Sequence, residues 1–168
     1  MKLKPIILKS ERLILRKFKL SDVKQYIKLG SHIKDTKKAL AWIKSSWIKN
    51  SYHFGIFLKE NNILIGKIEL CHMDWWFDKA GEIGYFINKK YRGKGYATKA
   101  SGMVIDYCFD KLNFHKMYAD TDPDNFASQK VLEKLGFKLE GRIREKVFVK
   151  GKWIDEYDYG LLKTEWKK

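Results

Sequence analysis

From Arg12 to Phe18 the chain reads RLILRKF, apolar and polar side chains alternating with a period of two, which predicts a strand at 12–18. Ser21 and Asp22 follow and predict the cap of a short helix through Leu29. Asp35 or Thr36 opens a second helix, with Ala39, Trp42, Ile43, Trp47 and Ile48 at helical spacing. HFGIFLKE at 53–60 and ILIGKIELCHM at 63–73, joined by Asn61 and Asn62, read as a hairpin, and EIGYFI at 82–87 reads as a further strand. From Tyr96 the positions Ala97, Ala100, Val104 and Cys108 recur at steps of three and four, a helix ending near Leu112. MYADT at 117–121 is a strand, 125–135 a helix stopped by Gly136, and strands at 137–149 and 154–162 flank the turn Lys150-Gly151-Lys152. The order predicts a mixed α/β domain around one sheet, a single domain over 1–168, without repeats, linkers or low-complexity segments.

Composition narrows the class. The chain has 168 residues, of which 45% are hydrophobic and 15% aromatic, enough for one well-buried core. No apolar stretch approaches the roughly 18 residues of a membrane span, and Lys9, Glu11 and Arg12 interrupt the N-terminal run before a signal-peptide core could form. Cys71 and Cys108 make no CxxC pair and fit a reducing compartment, so a soluble, cytoplasmic protein is expected. The formal charge is +15, carried almost wholly by lysine, with arginine only at 12, 16, 92, 142 and 144. Such a charge either attracts anions or is solvated surface, since no basic block of five or six runs unbroken. Nothing resembles a helix-turn-helix or RNA-binding pattern, so nucleic acid is not the expected partner. His32, His53, His72 and His115 share no ligand spacing, and no metal site is predicted.

Candidate chemistry concentrates in NKKYRGKGYATKA, residues 88–100. A strand followed by a short glycine-rich turn into a helix aims several backbone N–H groups and the positive helix end at one point, where an anion can sit. Glycine is required there because a Cβ would keep phosphate oxygens from the amides. RGKGYA matches neither the GxxxxGK[ST] phosphate loop nor the GxGxxG dinucleotide turn.

Residues 92–97, RGKGYA, resemble instead the [QR]xxGx[GA] pyrophosphate loop of the GNAT superfamily of acyl-CoA-dependent N-acetyltransferases. SERLILR, GEIGYFI, DPDNFASQKVLEKLGF and EGRIREKVFVKGKWIDEYDY extend the likeness over nearly the whole chain. They are similar to the branch that holds ribosomal-protein N-terminal acetyltransferases and spermidine-acetylating enzymes. The resemblance implies a GNAT fold: a mixed sheet of about six to seven strands, splayed into a V between two central strands and flanked by about four helices. It implies acetyl-CoA as cosubstrate, no metal, and direct transfer to a primary amine. The CoA pyrophosphate would lie on the amides of Arg92, Gly93, Lys94, Gly95, Tyr96 and Ala97, and the pantetheine arm along Phe86 and Ile87. Asn125 and Ser128 would face the cofactor near its sulfur. A tyrosine that many members use as acid is replaced here by Leu132, which shifts that role to Ser128 or to water.

For the base, Asp120 is a candidate because it lies on the strand after the glycine loop, where some relatives place a catalytic glutamate, and Glu82 because it starts the strand beside the splay. Glu145, on the penultimate strand near Val147, is a third candidate, and an amine that arrives partly neutral would need no base. Cys108 falls on an apolar helix stripe and Cys71 on a strand without a neighbouring base, so neither is an expected nucleophile. The run Met73 to Phe77 either lines an acceptor pocket or forms a core edge. A strongly positive protein should repel polyamines and aminoglycosides unless its pocket is locally acidic, whereas an acidic protein with a free α-amine is drawn in. A protein N-terminus therefore ranks first as acceptor, a polyamine or aminoglycoside second, and a non-catalytic CoA- or RNA-binding module third. A homodimer is left open.

Overall fold

Segments rich in Ile, Leu, Phe and Tyr bury their side chains only if their backbone groups pair, and here they pair in one mixed sheet. The computed structural model describes residues 6–30, 33–46, 52–74 and 79–167. Its strands are β1 (Ile7–Lys9), β2 (Leu13–Lys17), β3 (Tyr52–Leu58), β4 (Leu64–Asp74), β5 (Ala80–Ile87), β6 (Lys116–Thr121), β7 (Lys138–Val149) and β8 (Lys152–Leu162), in the order β1-β2-β3-β4-β5-β6-β8-β7. The α-helices are α1 (Val23–Lys28), α2 (Thr36–Ser45), α3 (Tyr96–Asp110) and α4 (Phe126–Lys134). The sheet has eight strands among the described residues, against the six or seven expected. The extra one is β1, three residues too short to show a period, which pairs with β2 at the sheet edge.

One local expectation changes. Asp22 stands at the start of α1, but its carboxylate turns back to the 3₁₀ turn Leu20–Asp22 before it, accepting from both guanidinium nitrogens of Arg16, at 2.7 and 3.0 Å, and from the N–H of Lys19 at 2.7 Å. Asp35 caps α2, accepting from the N–H of Lys38 at 2.8 Å. Trp47 and Ile48, read above as helix face, and His32 lie outside the described residues.

The sheet carries a core on each face. The larger one packs Leu15, Ile56, Ile68, Ile83 and Leu161 against Val104, Ile105 and Cys108 of α3 and Leu132 of α4. The smaller one packs Phe57 and Leu64 against Tyr26, Ala39 and Ile43 of α1 and α2. Ile56 and Phe57, adjacent in sequence, fall in opposite cores, as strand alternation requires. No helix among the described residues is long and apolar enough to cross a membrane.

The centre of the sheet positions the site. Among the described residues β5 and β6 are the one parallel pair, because α3 lies between them in sequence and returns the chain in the same direction. They pair only from Ala80 to Glu82 and from Lys116 to Tyr118. β5 stays on β4 as far as Ile87, and β6 stays on β8 as far as Thr121, so the two strands separate after Glu82. The ladder irregularity lies between β4 and β5, at Cys71 to Asp74, next to the point of separation.

Candidate active site

Beyond Glu82 one edge of β5 faces a gap. Asn88 N–H donates to Ile65 across the β4 side at 2.8 Å, so by antiparallel alternation residues 84 and 86 also turn their backbone to β4, and 83, 85 and 87 turn theirs to the gap. The Ile87 carbonyl is taken by Arg92 Nε at 3.0 Å, and the Arg92 guanidinium lies 5.8 Å from the Phe86 ring centre. Arg92 thus braces the end of the strand against the turn that follows.

That turn leads into α3 through Gly93 and Gly95, both at φ +75°, a region open to glycine and costly for a branched residue. A Cβ on either would meet nothing within 4 Å; it would project into open space. Among the described residues the backbone N–H groups of 93–98 meet no acceptor within the chain, the first bond being Lys99 N–H to the Gly95 carbonyl at 3.0 Å. No acidic residue stands in the first turn of α3. The helix therefore presents orphan donors and its positive end to a cleft of about 410 Å³, which also takes in Tyr85, Phe86, Ile87, Asn125 and Ser128. Tyr96 and Ala97 line the same cleft. Lys94 turns outward: its carbonyl accepts Arg12 Nη2 at 2.8 Å, and the Arg12 guanidinium stacks 4.6 Å from the Tyr96 ring centre.

The cleft meets a second cavity, of about 230 Å³, between β5 and β6. Tyr85, Asn125 and Ser128 line both, and Asp120, Gly84 and Leu132 line the second. Asn125 caps α4, its Oδ1 accepting the Ser128 N–H at 3.2 Å. Ser128 is half-buried, with its Oγ 3.0 Å from the Tyr85 hydroxyl, which also lies 3.2 Å from the Ser128 carbonyl. Burial holds the Tyr85 phenol above its ordinary pKa, a trend that the Ser128 hydrogen bond opposes. Leu132 is fully buried.

Asp120 sits opposite Asp158 on β8 and 3.9 Å from Lys146 Nζ. The same ammonium lies 2.7 Å from Glu156 and 3.3 Å from Asp158, and the Glu156 bond, first among the causes, raises its pKa to about 12. Lys146 reaches this far because β7 loses register with β8 between Ile143 and Val147, where Glu145 adopts φ +50°. The Glu145 N–H donates to Asp155 at 2.9 Å, and Asp155 also holds Arg142 Nε at 2.6 Å. Glu145 lines a separate cavity on the β7–β8 ribbon, so the structure groups it with Arg142, Arg144 and Asp155 rather than with Asp120.

Glu82 stands where the V closes, opposite Cys71 on β4 and Tyr118 on β6. Burial pushes the Cys71 thiol up to about 11, and Glu69, Glu82 and Asp120 add to the shift, so these carboxylates share one region of the sheet face. His53 Nδ1 lies 3.6 Å from Glu69, and burial lowers its pKa. Among the described residues no group of three or more His, Cys, Asp or Glu side chains is placed to hold a metal ion. The side chains of 73–77, considered for the acceptor pocket, lie outside the described ones.

The structure thus brings the loop residues other than Lys94, with Phe86, Ile87, Asn125, Ser128 and Asp120, to two adjoining cavities, and leaves Glu82 outside both. Sequence reasoning missed Tyr85, Lys146 and Arg12. Tyr85 could have been found, since alternation puts its phenol on the interior face with Ile83 and Ile87, where a hydroxyl needs a partner. Lys146 depends on a bulge and Arg12 on a contact across 82 residues, and neither leaves a local signal.

Comparison with known proteins agrees with this geometry. The model of the GNAT acetyltransferase domain matches residues 12–138. An uncharacterized N-acetyltransferase of Bacillus subtilis, YnaD, is 29% identical over 169 residues, covering 94% of this chain and 97% of that one. Spermidine N(1)-acetyltransferase of Escherichia coli is 32% identical over 90 residues, 54% of this chain and 46% of that one. The Escherichia coli alanine N-acetyltransferase of ribosomal protein uS5 is 27% identical over 117 residues, 70% and 60% of the two chains. The crystal structure of a GNAT-family acetyltransferase from Bacillus anthracis superposes with a TM-score of 0.84 at 28% identity, covering 95% of this chain and all of that one. The chain belongs to the GNAT family of acetyltransferases.

Proposed function

We propose that the protein, acting as one catalytic domain, transfers acetyl from acetyl-CoA directly to the free α-amine of a polypeptide N-terminus. The observation that carries the reading is the unpaired edge of β5, which runs from the glycine turn to the junction where Tyr85, Ser128 and Asp120 meet. Its two ends suit the two ends of the cosubstrate. The N–H groups of 93–97 would hold the pyrophosphate, that of Arg92 being taken by the Lys89 carbonyl at 3.4 Å, and a Cβ at 93 or 95 would meet nothing within 4 Å. The backbone of 85 and the N–H of 87 would pair with the amides of the pantetheine arm, as an extended peptide adds to a sheet edge, whereas that of Phe86 is turned to β4 and the Ile87 carbonyl is held by Arg92. Bound there, acetyl-CoA supplies an activated acetyl group at the junction.

The acceptor enters from the Asp120 side. Asp120 would take the amine proton, and Glu82, at the closed end of the V, is the alternative. Ser128 would donate to the departing sulfur. The carboxylates of Asp120, Glu156 and Asp158, gathered round one lysine, form an acidic spot on a chain of formal charge +15. A molecule with an ammonium tip and an anionic body matches both fields, and the N-terminus of an acidic protein is such a molecule. The acidic spot also favours a second reading, a polyamine or other small polycation, which suits the pocket and opposes the outer charge.

A thiol-release assay with acetyl-CoA against peptides of acidic and basic sequence, polyamines and aminoglycosides separates these readings. Release is expected with free N-terminal peptides, fastest with an acidic body. A preference for polyamines would move the assignment to the second reading, and absence of release with every amine would reduce the protein to a binding module.

A further inference from the structure

Where α4 presents the apolar Leu132, the opposite wall of the cleft presents the hydroxyl of Tyr85. We infer that Tyr85 is a positioning residue that makes Ser128 a hydrogen-bond donor to the leaving sulfur, the two hydroxyls forming a chain that reverses as charge develops. This rests on the acetyl-transfer reading above.

The geometry gives the chain two settings. The Tyr85 hydroxyl lies within reach of two acceptors on one residue, the Ser128 carbonyl at 3.2 Å and Oγ at 3.0 Å, and either hydroxyl can donate in the Oγ contact. In the first setting Tyr85 donates to the carbonyl and Ser128 donates to Tyr85, leaving no proton for the cleft. In the second Tyr85 donates to Ser128 Oγ, and the Ser128 proton turns outward to the space that both cavities share. An uncharged cleft has no preference for the second setting, whereas an anionic atom beside Ser128 selects it. The electron pair of the breaking C–S bond goes to sulfur as the N–C bond forms, and that charge turns both hydroxyls together.

Neither oxygen has to lose its proton. Burial keeps the Tyr85 phenol protonated well into the alkaline range, which is what a fixed donor needs and what a true proton source would find costly. Leu132, fully buried on α4, lines the same cavity without a polar group, and Tyr85 reaches that gap from β5.

The test reads the ionisation of CoA bound to the protein, through the ultraviolet absorbance of its thiolate, in wild type, Tyr85→Phe, Ser128→Ala and the double variant. Donation from Ser128 stabilises the thiolate, so the bound thiol should ionise at lower pH in wild type than in either single variant. The expected shift is about one to two units, one hydrogen bond to a charged group. The double variant should shift no further than Ser128→Ala, because Tyr85 acts through Ser128. With saturating substrates, Tyr85→Phe should lower kcat by about tenfold with KM for acetyl-CoA kept, a fraction of the loss expected for removing a donor outright. Tyr85→Phe titrating like wild type while Ser128→Ala shifts would overturn the inference, as would additive shifts in the double variant. Failure of wild type to bind CoA would overturn the acetyl-transfer reading instead. Ser128→Ala, at the half-buried first turn of α4, secures the comparison if Tyr85→Phe folds poorly.

Discussion

Asp120, the proposed base, shares the ammonium of Lys146 with Glu156 and Asp158. Asp120→Asn should lower kcat by roughly a hundredfold, with acetyl-CoA affinity kept, if it is the base. Glu82→Gln should cost less; the reverse order, measured in steady-state kinetics, moves the base to the closed end of the V. Cys71 reports the same local field. A thiol pushed from 9.0 to about 11 holds roughly a hundredfold less thiolate at pH 8 than an ordinary one, so iodoacetamide should modify Cys71 slowly. Glu82→Gln should speed that alkylation, and an unchanged rate would mean that burial alone sets the thiol. All three residues stand in the sequence as ordinary strand positions. Their types were legible, but not that Asp120 alone of the three lines the cavity, because that depends on where β5 leaves β6.

The glycine turn shows how an element far away in sequence completes a site. In a trans peptide the carbonyl of Lys94 and the N–H of Gly95 point in opposite directions, so Arg12, by holding that carbonyl at 2.8 Å, turns the Gly95 N–H the other way. Arg12→Met should therefore weaken acetyl-CoA binding by about tenfold, the worth of one charge-assisted hydrogen bond, and raise KM with kcat nearly unchanged. Equal losses in a variant and wild type titrated at high salt would instead point to a general charge effect. The β7–β8 ribbon makes the complementary point. Asp155 is held below the ordinary carboxylate range first by the Glu145 N–H and then by Arg142. A depressed pKa contributes fully above the unfolded value and is lost as pH falls through the folded one, so the bulge should loosen only in acid, below the ordinary aspartate range. Periodicity located the strands and α-helices, and the cap at Asp35, because these are local. The strand β1, the bulge at Glu145 and the reach of Lys146 depend on pairing between strands, which no local window contains.

At the scale of the molecule two fields of opposite sign coexist: a formal +15 spread over the chain and a small acidic spot at Asp120, Glu156 and Asp158. Exposed charges are screened beyond about 10 Å at 0.1 M salt, while contacts of 3–4 Å inside the site are screened much less. Raising the salt should then lower kcat/KM for an acidic peptide far more than kcat, and a kcat/KM indifferent to salt would assign the lysines to solvated surface alone. The resemblance to the acetyltransferases had already foretold the splayed sheet, and the structure adds the reason that the splay matters, a strand edge leading from anion donors to a carboxylate. That arrangement is the centre of the account, and calorimetry of acetyl-CoA binding to wild type and Gly95→Asn probes it most directly. Asparagine tolerates the left-handed conformation at φ +75° and adds a side chain where a Cβ meets nothing within 4 Å, in the turn whose N–H groups are unpaired. Wild type should bind acetyl-CoA and Gly95→Asn, folded to the same melting temperature within a few degrees, should lose most of that affinity. Equal affinity in the two folded proteins would contradict the account.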